Sequence, residues 1–424
     1  MGEFDFVMKK KLAVLVFILF LFNSDVGFSK TTYLMSLQEA MDIALTSSTE
    51  LNSHRSRKYI TEARIINAKT PLNPAIISDN GTAEFTYRVG IQQTFELGEK
   101  RKKRTTLAVA EHQYTQEEIL AKTLDIKSKV RKAYIELYRA QQAEISSQEI
   151  LNTINELVDI TKRKEMAGDV PTIDTMQTEL MKINAENDLQ YAKLDIIQAF
   201  NNLNFLLGHK LDECCQLTEP QYEEEYQIIE KLSEDEHEIN LDSLYEKALE
   251  NRPEIKMAQT EIDIAKKQLE VDYSNRIPNL LLAAGPDYVV GPGPRQMGAF
   301  IMGAIAIPVF DRQQGEIMES KAEIKMGEKK LEWQKHLTEV EVKNAYNRIQ
   351  SYILSLKKYK NELLPHSEVI VHKTKQSFDE GKDDIIVPLM AHQSYIKIKA
   401  GYIKVLAEYQ TAVSDLERAM GVEL

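Results

Sequence analysis

The chain is written twice, and this repetition limits the folds open to it. "SLQEAMDIALTSSTEL" (36–51) aligns with "NLDSLYEKALENRPEI" (240–255). Leu37 matches Leu241, Ala44 matches Ala248, Leu45 matches Leu249 and Glu50 matches Glu254, all at a shift of 204. Pro74 and Pro278 keep that shift. Further on, "GDVPTIDTMQTE" (168–179) aligns with "GKDDIIVPLMAH" (381–392) at a shift of 213, and Gly208 and Gly421 close the halves at the same spacing. The second half therefore holds about nine extra residues, around "GPDYVVGPGPRQMG" (285–298). Whatever one half folds into, the other must repeat.

Each half reads in one order: a helix (36–70 and 240–275), a strand pair opened by Pro (74–96 and 278–310) and a very long helix (98–166 and 312–379). A Gly-centred turn and a second long helix follow (172–207 and 385–420). With 17 Gly and 12 Pro in 424 residues, turns are too few for an all-β protein. At 1.5 Å per residue, a helix of some 65 residues is roughly 100 Å long. Val342, Tyr346, Ile349, Ile353, Leu356, Tyr359 and Leu363 step by three and four, the spacing of a coiled-coil seam. Lys, Glu and Gln occupy the other faces, as expected of solvated rods packed on rods. The predicted division is 1–29 signal peptide, 30–211 first repeat, 212–239 acidic linker and 240–424 second repeat.

Against this helical background stands "FTYRVGIQQTF" (85–95). Phe85, Tyr87, Val89, Ile91 and Phe95 fall on one face. Thr86, Arg88, Gly90, Gln92 and Thr94 fall on the other, and Gln93 alone breaks the alternation. The run matches a membrane-spanning β-strand, roughly 9–11 residues. Two halves supply two strand pairs, four strands per chain. A membrane barrel needs at least about eight strands and tolerates no open edge in lipid, so the chain must oligomerise, and three copies close a barrel of twelve. Thr86, Arg88, Gln92 and Thr94 then line a wet lumen. "GAFIMGAIAIP" (298–308) is apolar on both faces; alone it passes for a core strand.

Lys9–Lys11 followed by the apolar run "LAVLVFILFLF" (12–22) form the n- and h-regions of an export signal, too short to span as a helix. Gly27 and Ser29 suit cleavage before Lys30; an uncleaved anchor is the alternative, and Met8 is an alternative start. Net charge is −12, with one basic run, "KRKKR" (100–104), which argues against nucleic-acid binding. The two cysteines, Cys214 and Cys215, are adjacent; Cα atoms about 3.8 Å apart make a bridge between them strained. They read as linker thiols, with a metal-capturing pair as the alternative.

These residues resemble the TolC family, the outer-membrane channels of tripartite efflux pumps, over about 36–421. "IPVFDRQQGEI" (307–317), with "QQTFELGEKR" (92–101) as its counterpart, is similar to the heavy-metal branch (CzcC-like and CusC-like). "GDVPTIDTMQTEL" and the doubled "L…A…ALxxxxE(L/I)" opening are typical of the family. The resemblance implies a homotrimer: a twelve-stranded barrel in outer-membrane lipid, continued by a helical barrel across the periplasm. It also implies an inner-membrane RND transporter as the energy source and a periplasmic adaptor at the helical tips. Ala167, Gly168, Asp169, Val170, Glu380, Gly381 and Lys382 are the expected docking residues, Gly168 and Gly381 as left-handed helix ends.

Past the tips the tube is expected to narrow. The resemblance places Asp174 in a closed-state hydrogen-bond network. Some relatives carry acidic rings where this chain has Val387 and Met390, so Asp383 and Asp384 are the remaining sources of negative charge. Met390 facing the lumen would form an apolar gate that dewets; packed in a coiled-coil core, it would not. Pro388 is expected to kink its helix.

The chain has no GxSxG, HExxH or phosphate loop. His366 and His372 are six apart, wrong for one helical face, and the 14 Met are scattered. The reading is therefore a non-enzymatic duct for heavy-metal cations, without cofactor or resident metal. A duct for drugs or for type I protein secretion, and a coiled-coil scaffold whose strands form a small soluble sheet, are the alternatives.

Overall fold

A computed structural model describes residues 34–81, 86–208, 227–228, 241–289, 294, 296–380, 382–384 and 386–422. The signal segment, nearly all of the linker, both cysteines and Gly381 lie outside the described residues. The chain divides into two compact units. The smaller, Met1–Ser36 with Leu217–Ile229, holds β1 (Leu34–Met35) and β4 (Gln227–Ile228), which pair in parallel.

The larger unit carries both repeats. Its first helix, expected as one, is two: α1 (Leu37–Ser47) and α2 (Thr49–Lys69). The break is at Ser48, whose hydroxyl accepts from the Leu51 N–H at 3.3 Å and caps α2. The second repeat breaks at the equivalent place, between α5 (Leu241–Asn251) and α6 (Pro253–Asn275), because Pro253 fits only the first turn. Between these helix pairs come β2 (Ala75–Gly81), β3 (Thr86–Phe95), α3 (Lys100–Ala167) and α4 (Thr172–Leu206). After α6 follow β5 (Leu280–Val289), β6 (Gln296–Ile305), α7 (Gln314–Lys358), a π turn (Tyr359–Leu363), α8 (Leu364–Asp379) and α9 (Ile386–Met420).

α3 is 68 residues long, roughly 100 Å. α4 and α9 are both 35 residues. Each repeat closes on itself through a left-handed glycine. Gly208 (φ 70°) sits so close to the end of α1 that a Cβ there would lie 2.8 Å from the Ser47 carbonyl. Gly421 (φ 76°) repeats this against α5, 3.0 Å from the Asn251 carbonyl. Only glycine reaches such a turn cheaply.

The expected seam is present in part. Val342, Ile349 and Ile353 are buried against Leu406, Tyr409, Val413 and Leu416 of α9, with Tyr346 and Leu356 packed beside them. It ends where the long helix expected over 312–379 widens into the π turn. Pro365, in the first turn of α8, has no N–H to give to the helix behind it. The turn absorbs the fault: the Leu364 N–H bonds the Tyr359 carbonyl, five residues back. Leu363 is 43% exposed. Pro388 makes no kink, because α9 begins at Ile386 and the proline falls in its first turn, where no N–H is needed.

Polar contacts hold the repeats together. Ser128 and Ser414 share a buried hydrogen bond of 3.1 Å, and Arg131–Glu417 and Lys132–Asp415 are ion pairs between α3 and α9.

Candidate functional site: strand sheet and helical tips

The four strands form one antiparallel sheet in the order β2-β3-β5-β6. Its register sorts side chains into two faces. Ile76, Ile91, Ala284 and Ile301 stand opposite one another in one row. The three isoleucines are 84%, 64% and 87% exposed. On the same face Tyr87 stands opposite Tyr288, and Tyr288 opposite Met297. Tyr288 and Met297 are 46% and 70% exposed. Water does not favour so large an apolar face, whereas lipid does.

The other face carries the expected polar residues. Arg88 stands between Asp79 of β2 and Asp287 of β5, and Gln92 between Ala75 and Ala283. Thr94 stands opposite Leu281; Thr86 pairs with Gly81 and Val289, and its side chain lies outside the described residues. Alternation alone missed two features of this face. Phe300 lies across it, its ring 5.9 Å from the Arg88 guanidinium. It fits because positions 90 and 285 are glycine: a Cβ at Gly90 would be 2.7 Å from the Phe300 ring, and one at Gly285 would be 2.1 Å from the Val89 carbonyl. The charges of Asp79 and Asp287 were also unread, though both sit where the period-two rule puts them. Gln93, the misfit on the apolar face, donates through Nε2 to the Leu72 carbonyl at 2.9 Å and is satisfied there.

At the far end of the long helices, the two turns are built alike. Gly168 is left-handed (φ 79°); its N–H bonds the Glu165 carbonyl, and the Asp169 N–H bonds the Lys164 carbonyl, both at 2.9 Å. In the second repeat the Lys382 N–H reaches five residues back to Ser377, also at 2.9 Å, and the Glu380 N–H reaches Gln376 at 3.0 Å. Ala167, Gly168 and Asp169 are exposed, Val170 half-buried, Glu380 and Lys382 exposed. The sequence reading passed over Met166, which is 80% exposed at the same turn. Lys382 bonds Glu380 at 2.6 Å and holds its carboxyl below the usual range. A hydrogen bond to Glu179 raises the Lys162 ammonium on the α3–α4 hairpin.

Lys164 and Asp384 pair across the two tips, and the Asp384 carboxylate also accepts from the Ile386 N–H at 3.3 Å. Asp384 is thus engaged as a helix cap and a link between repeats. Asp174 is half-buried in the first turn of α4, its N–H on the Pro171 carbonyl at 3.0 Å. Asp383 is exposed, and Val387 and Met390 are 42% and 43% exposed on the opening turns of α9. Behind them, between α3, α8 and α9, lies a cleft of about 430 Å³ where His392 meets Thr153 at 3.3 Å. No cluster able to hold a metal is found among the described residues, and none of their helices is long and apolar enough to cross a membrane.

A sheet with one lipid-compatible face, its two strand pairs each joined to helices far longer than any globular core needs, defines a class: a membrane conduit carried on a helical stalk. The outer membrane efflux protein family model matches residues 42–209 and 244–422. The chain belongs to that family and is an efflux channel of the outer membrane. It is 22% identical over 395 residues to the cobalt-zinc-cadmium resistance protein CzcC of Cupriavidus metallidurans, covering 91% of this chain and 90% of that one. Its fold is similar to CusC (TM-score 0.72, 15% identity, 95% of this chain and 96% of that one). It is also similar to the CmeC outer membrane channel of Campylobacter jejuni (TM-score 0.73, 16% identity, 91% and 85%).

Proposed function

We propose that three copies of this chain assemble into the passive exit duct of a tripartite pump that expels heavy-metal cations. One observation carries the assembly: the sheet ends in two free edges, β2 and β6, on a face suited to lipid. An open edge is not tolerated in a bilayer, so copies must supply the missing partners, and three fours make an even-numbered barrel. Thr86, Arg88, Gln92 and Thr94 line its lumen. The long helices extend into the periplasm.

The tips Ala167–Val170 and Glu380–Lys382 receive a periplasmic adaptor, which links the duct to an inner-membrane RND transporter. Asp174, Asp383, Asp384, Val387 and Met390 form the periplasmic gate. The division into signal peptide (1–29), two repeats (30–211, 240–424) and linker (212–239) matches this assembly plan. The chain catalyses no reaction; the partners supply the energy.

The metal cargo is supported by the likeness to a cobalt-zinc-cadmium resistance protein and by "IPVFDRQQGEI". Its test is growth of a deletion strain on cobalt, zinc, cadmium, copper and silver salts beside dyes, detergents and antibiotics. Sensitivity to metals alone is expected. Sensitivity to drugs with metal tolerance unchanged would move the duct to multidrug efflux.

A further inference from the structure

The apolar outer face does not stop where the strands stop. Ile307, Val309 and Phe310, in the connection from β6 to α7, are 79%, 56% and 93% exposed. Leu97 and Ile277 continue the same character at 40% and 42%. An aromatic ring held almost wholly in the open is costly in water and stable in an acyl-chain layer.

Directly beside these residues the surface becomes cationic. Five consecutive cations, Lys100–Arg104, open α3 in a chain of net charge −12. A Cβ at Gly98 would lie 2.6 Å from the Ile277 side chain, and Lys100 Nζ donates to Asn279 at 2.6 Å. The start of α3 and the end of α6 are therefore at one level, which places Arg276 beside the run. Ser320 bonds Asp272 at 2.5 Å, fixing α7 against α6 within about two turns of Arg276 and Arg312. Arg312 Nε donates to the Val309 carbonyl at 3.3 Å, tying that cation to the apolar loop.

Local acids neutralise this collar only in part, and Asp311, next to Arg312, has its carboxylate engaged by Gln313. Arg104 is taken by Glu96 at 2.7 Å, and Lys102 has a loose partner in Glu99 at 3.6 Å. Arg101 and Arg276 are exposed and have no ionic partner among the described residues.

We propose that Arg101, Lys102, Arg276 and Arg312 bind the phosphate headgroups of anionic glycerophospholipids in the periplasm-facing leaflet, with Phe310 anchored among the acyl chains. The inference rests on the outer-membrane reading and adds a lipid partner to it. Cations just outside an apolar band meet headgroup phosphates, and each contributes on the order of fivefold in affinity at an anionic surface.

The test is native mass spectrometry of the delipidated full-length oligomer, titrated with phosphatidylglycerol and with phosphatidylethanolamine of matched chains. Preferential retention of phosphatidylglycerol, by at least about fivefold, is expected. The Arg101→Gln, Arg276→Gln, Arg312→Gln triple variant should lose the preference, and the corresponding Arg→Lys triple should keep it. Phe310→Ser should weaken retention of both lipids. Insertion into phosphatidylethanolamine liposomes should be unchanged in the Gln variant, which controls for folding. Equal retention of the two lipids, or an unchanged preference in the Gln variant, overturns the collar alone. Displacement of the lipid by millimolar inorganic phosphate would make this a free-anion site and overturn the lipid assignment. Failure of the wild type to insert would contradict the outer-membrane placement, and the collar with it.

Discussion

Gly285 is the tightest glycine of the sheet, and Gly315 shows how differently the residue can act. A Cβ at 285 would lie 2.1 Å from the Val89 carbonyl, so β3 and β5 must part to admit it. Gly285→Ala is expected to cost about 3 kcal/mol and to remove the trimer band expected of the wild type on unheated detergent gels. Gly315, in the first turn of α7, has nothing within 4 Å, so Gly315→Ala is expected to be neutral or stabilising by a few tenths of a kcal/mol. Charge at single residues also has a pH signature. Burial pushes the Asp125 carboxyl up, but the hydrogen bond from Lys129 and the charges of Lys129, Arg418 and Lys122 outweigh it and hold the group below its usual range. A depressed carboxylate stabilises the fold above its unfolded pKa, about 3.9, and loses that contribution as pH falls through the folded value. Asp125→Asn should cost about 1 kcal/mol at pH 7. Denaturant titrations from pH 7 downward should show the gap to wild type starting to close below about pH 4 and vanishing once folded Asp125 is protonated.

Among the elements, the very long helix of the second repeat departs most from its counterpart. α3 runs unbroken for 68 residues; α7 and α8 are separated by a π turn. Tyr359 opens that turn and lies over Gly401 of α9, where a Cβ would come within 2.6 Å of its hydroxyl but 3.2 Å of the ring. Gly401→Ala is expected to destabilise by about 1–3 kcal/mol, and adding Tyr359→Phe should restore most of the loss. Chemical denaturation of the single and double variants checks this; equal stability of Gly401→Ala and wild type would show that the contact is not constraining. The sequence carried the order of elements because helix length, proline positions and strand alternation are local properties. It missed the π turn, though Pro365 stood in view, because a proline reads locally as a helix end or a kink. Whether a helix breaks or widens depends on the tertiary contact that holds Tyr359 on α9. Ser48 was likewise legible as a cap, but the repeat's helical periodicity ran straight across it.

For the whole molecule, the repeat was the most legible signal, because an alignment within one chain needs no knowledge of packing. Both faces of β3 could be read from alternation. The filling of the polar face by Phe300 could not, because it depends on Gly90 and Gly285 lying opposite one another across two repeats. Tip turns were legible through Gly168, whereas the Lys164–Asp384 link between them joins residues 220 apart and leaves no local trace. The proposed assembly makes each chain one third of a closed tube. Native mass spectrometry of the detergent-extracted protein should find a particle of three chains that needs detergent to stay in solution. A single-chain mass, or a particle that stays dispersed without detergent, would contradict it.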